Sequence, residues 1–278
     1  MLSEFDGVHC GHSALVDAAL QHATSLGAAL VAVVADRGEG VPRIMQVNRR
    51  CELLLSCGVS SAFVAPLPHP ADVQHALGPA LERLRPVAVF LDAASWPSQP
   101  RDELFEYLHG IGSVVRDGTT TSDPGFLPID TATIIDGLRD GDIRAAEVML
   151  GRPYELSGAI AARVPVRPST RFQTEQVATA SDIVLPKNGT YIARALIGRR
   201  WVAAAVNVGT RPTFNSSDGG IVVEAHLIDF EGDLQDTELS LRFVRRLRNE
   251  MQFSGPDELA AQLERDAVAA TAILQSMA

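Results

Sequence analysis

The sequence predicts an α/β domain followed by a β-barrel that a C-terminal helix closes, and two patterns support this fold class. Before residue 151, strand-like apolar runs alternate with helical segments, which is typical of parallel βαβ units. From residue 154, short alternating strands are separated by Gly, Pro, Asn and Asp turns until helical periodicity returns near the C-terminus. We therefore expect one domain at residues 1–152 and a second at 153–278.

The elements of the first domain follow from the spacing of its apolar residues. Helical segments place them at intervals of three and four residues, whereas the strands are short continuous runs rich in Val, Ala and Leu. In chain order, the predicted elements are a helix at 13–27, a strand at 28–34, a helix at 47–57, a strand at 59–66, a helix at 76–85, a strand at 87–91, and helices at 102–112 and 134–149.

The second domain is predicted mainly from residues 201–230 and from the last helix. An alternating apolar strand runs into the corner NVGTRPT at 207–213, and the next strand carries one carboxylate, Glu224, among apolar and small neighbours. A helix is predicted from Pro256 to the C-terminus. Its apolar stripe, which we expect to pack on the barrel, is Leu259, Leu263, Val268 and Ile273.

Composition and charge narrow the class of protein. The chain has 278 residues, 46% of them hydrophobic, and its formal charge of −10 argues against nucleic acid as a partner. Three cysteines without zinc spacing or a disulfide framework predict a reducing compartment. No signal peptide and no apolar run of bilayer length are present, so we expect a cytoplasmic protein with no membrane partner. No set of residues is predicted as metal ligands.

Several motifs resemble those of one family, the bacterial bifunctional riboflavin kinase/FAD synthetases. The barrel half carries NVGTRPTF at 207–214, GTY at 189–191 where the family has Gly-Val-Tyr, and FEGDLQDTELSLRFVRRLRNEMQF after the Glu224 strand. The first half carries FDGVHCGH at 5–12, similar to the family's adenylyltransferase signature. The resemblance implies a reduced Rossmann-like nucleotidyltransferase domain, similar to FMN adenylyltransferase, followed by a Greek-key flavokinase barrel.

The resemblance also implies roles for individual residues. Glu224 corresponds to the base that activates the ribityl hydroxyl, and Thr174 to a residue that contacts Mg-ATP. His9 and His12 correspond to the histidine pair of the adenylyltransferase site, where imidazoles and helix N-terminal amides stabilise the transferring phosphate. The flavin-binding residues are expected to be Asn207, Gly209, Thr210, Arg211, Pro212 and Arg248.

The first domain departs from the family pattern where phosphate would be held. Residues 36–40, DRGEG, stand in place of the family's Pro-His-Pro, and 92–96, DAASW, lack its arginine. Thr133 and Ile135 occupy the positions of two arginines that grip the nucleotide. Most of the family's first strand is also absent ahead of Glu4, so either the start lies upstream or the domain has rearranged. Because nucleotidyl transfer depends on cationic stabilisation, we expect adenylylation to be lost or vestigial.

The barrel departs from the pattern at its phosphate loop. Residues 163–171, RVPVRPSTR, contain no glycine, and Pro165 and Pro168 each remove a backbone N–H donor. Gln176 replaces an asparagine that helps to hold metal and nucleotide, and Glu175 introduces a carboxylate beside it. We therefore expect weak binding of Mg-ATP.

The resemblance and these departures from it leave three functions open. The first is a pseudoenzyme that binds riboflavin or FMN for sensing or for delivery to a protein partner, with little or no turnover. The second is an active riboflavin kinase, FMN adenylyltransferase or both, in which case Mg-ATP is required. The third is a transferase with another small ligand, for which Arg163, Arg167 and Arg171 offer a new anion site. The plainer alternatives are that His9 and His12 are inherited without function and that the corner at 207–213 only supports the barrel.

Overall fold

The computed structural model describes residues 1–67, 73–92, 98–111, 113–117, 129–164, 172–210 and 221–277. The chain divides into two compact units. The first unit comprises Met1–Ile135 with Met149–Gly151, and the barrel unit comprises Asp136–Val148 with Arg152–Ala278.

The first unit contains a parallel sheet with the strand order β3-β2-β1-β4-β5. The strand order reverses direction beside β1, and in such sheets ligands bind outside the carboxyl ends of the strands at that point. The strands are β1 (Leu2–Ser3), β2 (Val31–Asp36), β3 (Ser61–Pro66), β4 (Ala88–Leu91) and β5 (Val114–Asp117). The predicted α/β class is therefore confirmed.

The central strand is only two residues long. Leu2 pairs with Val33 of β2 and with Leu91 of β4, and the Met1 nitrogen donates to the Val31 carbonyl at 2.7 Å. On the amino-terminal side of β1, apolar residues of the flanking helices and strands line a cavity of ≈ 130 Å³. The shortened strand still occupies the centre of the sheet and so still leads into residues 5–12.

Helices α1 to α6 run through this part of the chain, with the last two shared between the units. They are α1 (Cys10–Leu26), α2 (Val47–Ser56), α3 (Val73–Leu84), α4 (Ser98–Gly110), α5 (Thr131–Asp140) and α6 (Ile143–Leu150). A short 3₁₀ turn, Asp6–Val8, precedes α1. The helix α1 begins three residues before its predicted start, because His9 caps it and histidine is not among the usual capping residues.

The single helix predicted at 134–149 is wrong, since the chain forms α5 and α6 instead. Gly141 separates them with φ +83°, a left-handed conformation that favours glycine. Its N–H donates to the Leu138 carbonyl at 2.9 Å, which closes the end of α5. The Asp142 carboxylate then accepts from the Ala145 N–H at 3.0 Å and caps α6.

The barrel unit is a closed antiparallel barrel with the strand order β10-β7-β6-β11-β8-β9. Three consecutive strands, β8 to β10, are followed by a strand that returns beside the first of them, which is a Greek-key arrangement. The strands are β6 (Glu155–Val164), β7 (Phe172–Ala178), β8 (Gly189–Ile197), β9 (Arg200–Thr210), β10 (Ile221–Ile228) and β11 (Glu238–Arg248). The predicted barrel is confirmed.

The C-terminal helix α7 (Pro256–Ser276) packs on the barrel through a stripe that includes the predicted Leu263 and Ile273 but not the other two predicted residues. Leu259 is 39% exposed and Val268 is 58% exposed, so neither belongs to the packed face. Helical steps of four, three and four residues select a different set of buried side chains. These are Leu263, Ala267, Ala270 and Leu274, which contact Ile192 and Ile228 of the barrel.

Candidate functional sites

The histidine motif, residues 5–12, follows β1 as a tight turn that leads into α1. Phe5 (φ 51°), Gly7 (φ 77°) and Val8 (φ 38°) all have positive φ. This conformation strains Phe5 and Val8, and such strain persists only where surrounding contacts enforce it. Phe5, Asp6, Gly7 and Val8 are all buried, which provides those contacts.

His9 has a structural duty in this turn. Its Nδ1 accepts a hydrogen bond from the backbone N–H of His12 at 3.4 Å and thereby caps α1. The two imidazoles stack with ring centroids 3.8 Å apart and an interplanar angle of 21°. His9 is only 2% exposed. The structure therefore brings both predicted histidines together. The Nδ1 atom of His9 is already used in capping α1.

His12 lies deeper and faces the end of β4. Its Nε2 is 3.4 Å from Asp92 Oδ2, and its ring lies 5.2 Å from that of Phe5. His12 is 1% exposed, and neither ring nitrogen makes a hydrogen bond within the described residues. Residues 93–96 of the segment 92–96, which was predicted to lack the flavin-side arginine, lie outside the described residues.

The carboxylate of Asp6 has several hydrogen-bond partners within the first unit. Its carboxylate accepts from the backbone N–H groups of Ile44 at 2.8 Å and Met45 at 3.2 Å. The Arg50 guanidinium lies 3.1 Å from Asp6 and also donates to the carbonyl oxygens of Met45 and Glu4. Burial raises the pKa of Asp6 despite this cation. Asp6 thus anchors the loop that leads into α2.

The segment that stands in place of the nucleotide-gripping arginines lies beside the histidine motif. Thr131 donates its hydroxyl to the Asp6 carbonyl at 3.3 Å, and Asp130 accepts from the Thr133 N–H at 2.7 Å as the cap of α5. Thr133 is exposed, whereas Ile135 is only 8% exposed. Ile135, the second position predicted to correspond to a family arginine, is thus part of the protein interior.

The turn at 36–40 is held by its own ion pairs. Asp36 accepts from the Gly38 N–H and from Arg43, each at 3.3 Å, and Arg37 pairs with Glu4. Burial raises the pKa of Glu4, while Arg37 opposes the shift. These carboxylates occupy both nearby arginines, so this edge of the sheet presents little uncompensated positive charge for a phosphate.

In the barrel unit, five polar residues pair side by side across five strands, and we call this set the polar row. Its members are linked in order through β7, β10, β9, β8 and β11, with neighbouring strands about 4.8 Å apart. Directly paired residues lie on the same face of a sheet. The polar row is Gln176, Glu224, Asn207, Thr190 and Arg248.

The side chains of the polar row differ in burial, and Thr190 is the most buried of the five. Gln176, Glu224 and Asn207 are half-buried, whereas Thr190 is 1% exposed. The Thr190 hydroxyl makes no hydrogen bond within the part of the chain that the structure describes. Glu224 and Asn207, which were predicted as site residues from different strands, are therefore direct neighbours.

Arg248 ends the polar row and is fixed by the C-terminal helix. Its Nε and Nη2 donate to the Asp266 carboxylate at 2.7 to 3.1 Å, and its Nη1 donates to the Asn249 carbonyl at 3.0 Å. Gln262 donates to the same carboxylate at 2.8 Å. Because Asp266 is 2% exposed, this ion pair is largely shielded from water. The pairing holds the guanidinium in one orientation; its predicted flavin contact stays a prediction.

Thr174 lies two residues before Gln176 on β7, on the same face, and is also buried. Its hydroxyl is 2.7 Å from His226 Nδ1, and it is 1% exposed. Burial, together with Arg248, lowers the pKa of His226 to about 4, although Asp266 acts in the opposite direction. The imidazole is therefore neutral at pH 7, and the Thr174 hydroxyl already has a partner.

The corner motif is described only in its first half. Asn207, Gly209 and Thr210 continue β9 as strand residues, so the corner predicted to begin at Asn207 starts later. A Cβ at Gly209 would meet the carboxylate of Glu250, an exposed side chain that can move aside. Thr210 is exposed and pairs with Ile221. The remaining site residues, Arg211 and Pro212, lie outside the described residues, as do Pro165, Pro168, Arg167 and Arg171.

Glu175 was predicted to lie beside the nucleotide, and its direction argues otherwise. Successive strand residues point to opposite faces, so Glu175 and Thr174 face opposite sides of β7. Glu175 is 2% exposed and accepts from Gln173 at 2.6 Å. Its carboxylate is thus turned away from the face that carries Thr174 and the polar row.

Four residues of the barrel site were missed from the sequence. His226 and Glu224 share a face because they are two residues apart on one strand, so alternation alone could have revealed that pair. Thr190 was noted only as part of a motif. The partners Asp266 and Gln262 lie on α7, and no local pattern connects them to β11.

Comparisons with known proteins agree with this geometry. Residues 150–274 match the riboflavin kinase family model, Flavokinase. A bifunctional riboflavin kinase/FMN adenylyltransferase from Pseudomonas fluorescens is 31% identical over 180 residues, covering 61% of this chain and 55% of that protein. The protein of the same description from Escherichia coli K12 is 25% identical over 292 aligned positions, covering 97% of this chain and 90% of its own.

A likeness among solved structures concerns the fold alone. The crystal structure of a protein described as a macrolide-efflux protein from Streptococcus pneumoniae matches with a TM-score of 0.72 and 19% identity. The match covers 97% of this chain and 92% of the other. The two-part architecture is therefore shared over nearly the whole length.

The described residues contain neither a membrane-spanning helix nor a cluster of metal-ligating side chains. None of the described helices is long and apolar enough to cross a membrane. Within the same residues, no group of three or more His, Cys, Asp or Glu side chains is arranged to hold a metal ion.

Proposed function

Because the chain belongs to the bifunctional riboflavin kinase/FMN adenylyltransferase family, we propose that it is a flavin-binding member whose two ATP sites are eroded. Riboflavin or FMN is the expected ligand, bound at the barrel with little or no turnover. Residues 153–278 form the riboflavin kinase-like domain of this proposal, and residues 1–152 the adenylyltransferase-like domain. Sensing of flavin or its delivery to a protein partner is the corresponding role.

The observation that carries the proposal is the pairing of Glu224 with Asn207 in the polar row. Both side chains are half-buried, so a ligand from solvent reaches them without unfolding the barrel. A carboxylate and an amide side by side offer acceptors and donors that suit a polyhydroxylated chain. The apolar ring system of a flavin would then lie against the barrel and α7, as is usual for a largely apolar pocket with a few polar groups.

The state of the nucleotide-side residues supports the loss of ATP chemistry. In the barrel, Thr174 is buried and bonded to His226, and the loop that follows β6 contains prolines in place of glycines. In the first unit, His9 caps α1 and Ile135 is buried where a phosphate-binding arginine is implied. Thr174, His9 and Ile135 thus each have a role within the fold that does not involve a phosphate.

An active riboflavin kinase is the second candidate, and one observation favours it. Glu224, Asn207 and Thr174 all lie on the same face of adjacent strands β9, β10 and β7. A base, a polar neighbour and a hydroxyl for Mg-ATP are thus in the arrangement that the kinase reaction would use. Release of Thr174 from His226 would be required before it contacted a nucleotide.

Titration of riboflavin fluorescence tests the proposal. Wild-type protein should quench the flavin, and Glu224→Gln should weaken binding about tenfold, the effect of losing one charge-assisted hydrogen bond. Glu238→Gln is the matched control, because Glu238 is an exposed strand carboxylate of the same barrel. Unchanged fluorescence at saturating wild-type protein would reject flavin binding, and equal effects of the two variants would reject this site.

A further inference from the structure

Thr190 is the residue of the polar row whose hydroxyl has no hydrogen-bond partner among the described residues. It is 1% exposed, and its Oγ1 makes no hydrogen bond within the described residues. A buried hydroxyl without a partner costs free energy, because its hydrogen bonds to water are lost and not replaced. Valine has almost the same shape and would avoid this cost.

The neighbours of Thr190 are polar on both sides. It pairs with Asn207 on β9 and with Arg248 on β11. Asp266 and Gln262 of α7 fix the guanidinium of Arg248, and threonine itself has few side-chain rotamers in a strand. The hydroxyl is therefore held in one place between an amide and a cation, in a row whose Gln176 end reaches solvent.

We infer that Thr190 is a ligand-contacting residue that recognises a hydroxyl group on the chain of the bound molecule. This inference rests on the proposed flavin site and extends it to the row beyond Asn207. A ligand entering beside Glu224 would lay its polyol chain along Asn207 toward Thr190. The hydroxyl of Thr190 then gains a hydrogen bond that none of the described residues supplies.

A ligand contact at Thr190 would distinguish flavins by the side chain that they carry. A flavin that carries a hydroxylated side chain is favoured over one with the same ring system and an alkyl group instead. Sites built to hydrogen-bond a ligand hydroxyl discriminate strongly against analogues that lack it, because buried polar groups are then left unpaired.

Thr190→Val tests the inference with minimal change of shape. Riboflavin should bind the variant about tenfold more weakly, whereas lumiflavin, which has a methyl group in place of the ribityl chain, should bind both proteins equally. The melting temperature of the unliganded variant should equal or exceed that of wild type, since an unpaired hydroxyl has been removed. Thr237→Val is the matched control, because its hydroxyl is bonded to the Leu234 carbonyl outside the polar row, and it should leave riboflavin affinity unchanged.

The outcomes separate this inference from the proposed function. Riboflavin affinity within twofold of wild type, or an equal loss for lumiflavin, would overturn the role of Thr190 while the flavin site stands. A lower melting temperature with unchanged affinity would show a purely structural residue and would also overturn it. If wild-type protein binds neither flavin, the proposed function itself fails.

Discussion

The histidine motif of the first unit and the polar row of the barrel unit are both rich in polar side chains, but those side chains have different partners. In the histidine motif, His9 caps a helix and Asp6 holds Ile44, Met45 and Arg50. In the polar row, Glu224 and Asn207 stay half-buried at the end that reaches solvent. Polar residues are thus built into the local fold in one region and lie within reach of a ligand in the other.

This difference shows why a preserved motif is weak support for preserved chemistry. FDGVH persists where it makes the capping and buried bonds that the turn requires, whatever happens to the transferred phosphate. The two positions predicted to correspond to the family's arginines hold Thr133 and the buried Ile135, and neither side chain can offer a cation to a phosphate.

The largest expected effect concerns Asp6. Asp6→Ala should lower the free energy of unfolding of the first unit by about 3–5 kcal/mol, because it leaves Arg50 as an unpaired buried charge. Glu52→Ala is the matched control, since it breaks the exposed Arg49–Glu52 pair on α2, the helix that carries Arg50. This change should cost under about 1 kcal/mol. Urea denaturation measures both, and similar losses would contradict the structural role assigned to the motif.

Restoring the lost arginines sharpens the same comparison. Ile135→Arg should destabilise the first unit by about 3 kcal/mol, because a cation replaces a side chain that is 8% exposed. Thr133→Arg lies on the surface and should change stability by less than about 0.5 kcal/mol. Neither variant should form FAD from FMN and ATP. FAD synthesis by Thr133→Arg alone would refute the view that several parts of this site have been lost.

The stability of the barrel unit should depend on pH through the buried His226. Because the pKa of His226 is lowered from 6.5 to about 4, the unfolded chain binds the proton more tightly than the folded barrel between these values. Stability should therefore fall as pH decreases from 6.5 to 4, by about 3 kcal/mol over the window. His226→Asn should flatten this slope. An equally steep slope in the variant would assign the effect to other groups.

The smallest expected effect concerns the nucleotide side of the barrel. Thr174→Ala should weaken riboflavin binding less than threefold, because its hydroxyl is bonded to His226 and not to the polar row. Micromolar binding of Mg-ADP should also be absent in wild type. Calorimetry measures both, and micromolar affinity for Mg-ADP at the barrel would favour the active kinase.

Sequence alone predicted the sheet, the barrel and the terminal helix because those elements follow from local apolar periodicity. It failed where one residue decided the outcome. Gly141 divides one predicted helix into two through its left-handed backbone, and His9 starts α1 early as an unusual cap. Val268 was assigned to the packed face of α7, although it is turned away from the barrel. Each error depends on a conformation or a contact that periodicity does not contain.

The candidate site shows the same limit. Glu224 and Asn207 were identified from a motif, and the structure makes them neighbours through strand pairing. Asp266 could not be linked to Arg248 from sequence, since the two are 18 positions apart and are separated by a loop and the start of α7. The burial of Thr190 was equally hidden. Contacts between distant elements determine which polar groups are occupied and which await a ligand.

The most direct test of the account is to incubate purified protein with riboflavin and Mg-ATP, separate the flavins by chromatography and measure bound flavin in the same sample. The account predicts that riboflavin is retained by the protein and that no FMN or FAD forms above the level of a Glu224→Gln control. Formation of FMN or FAD at rates comparable to a bifunctional relative, or failure of the protein to retain any flavin, would contradict it.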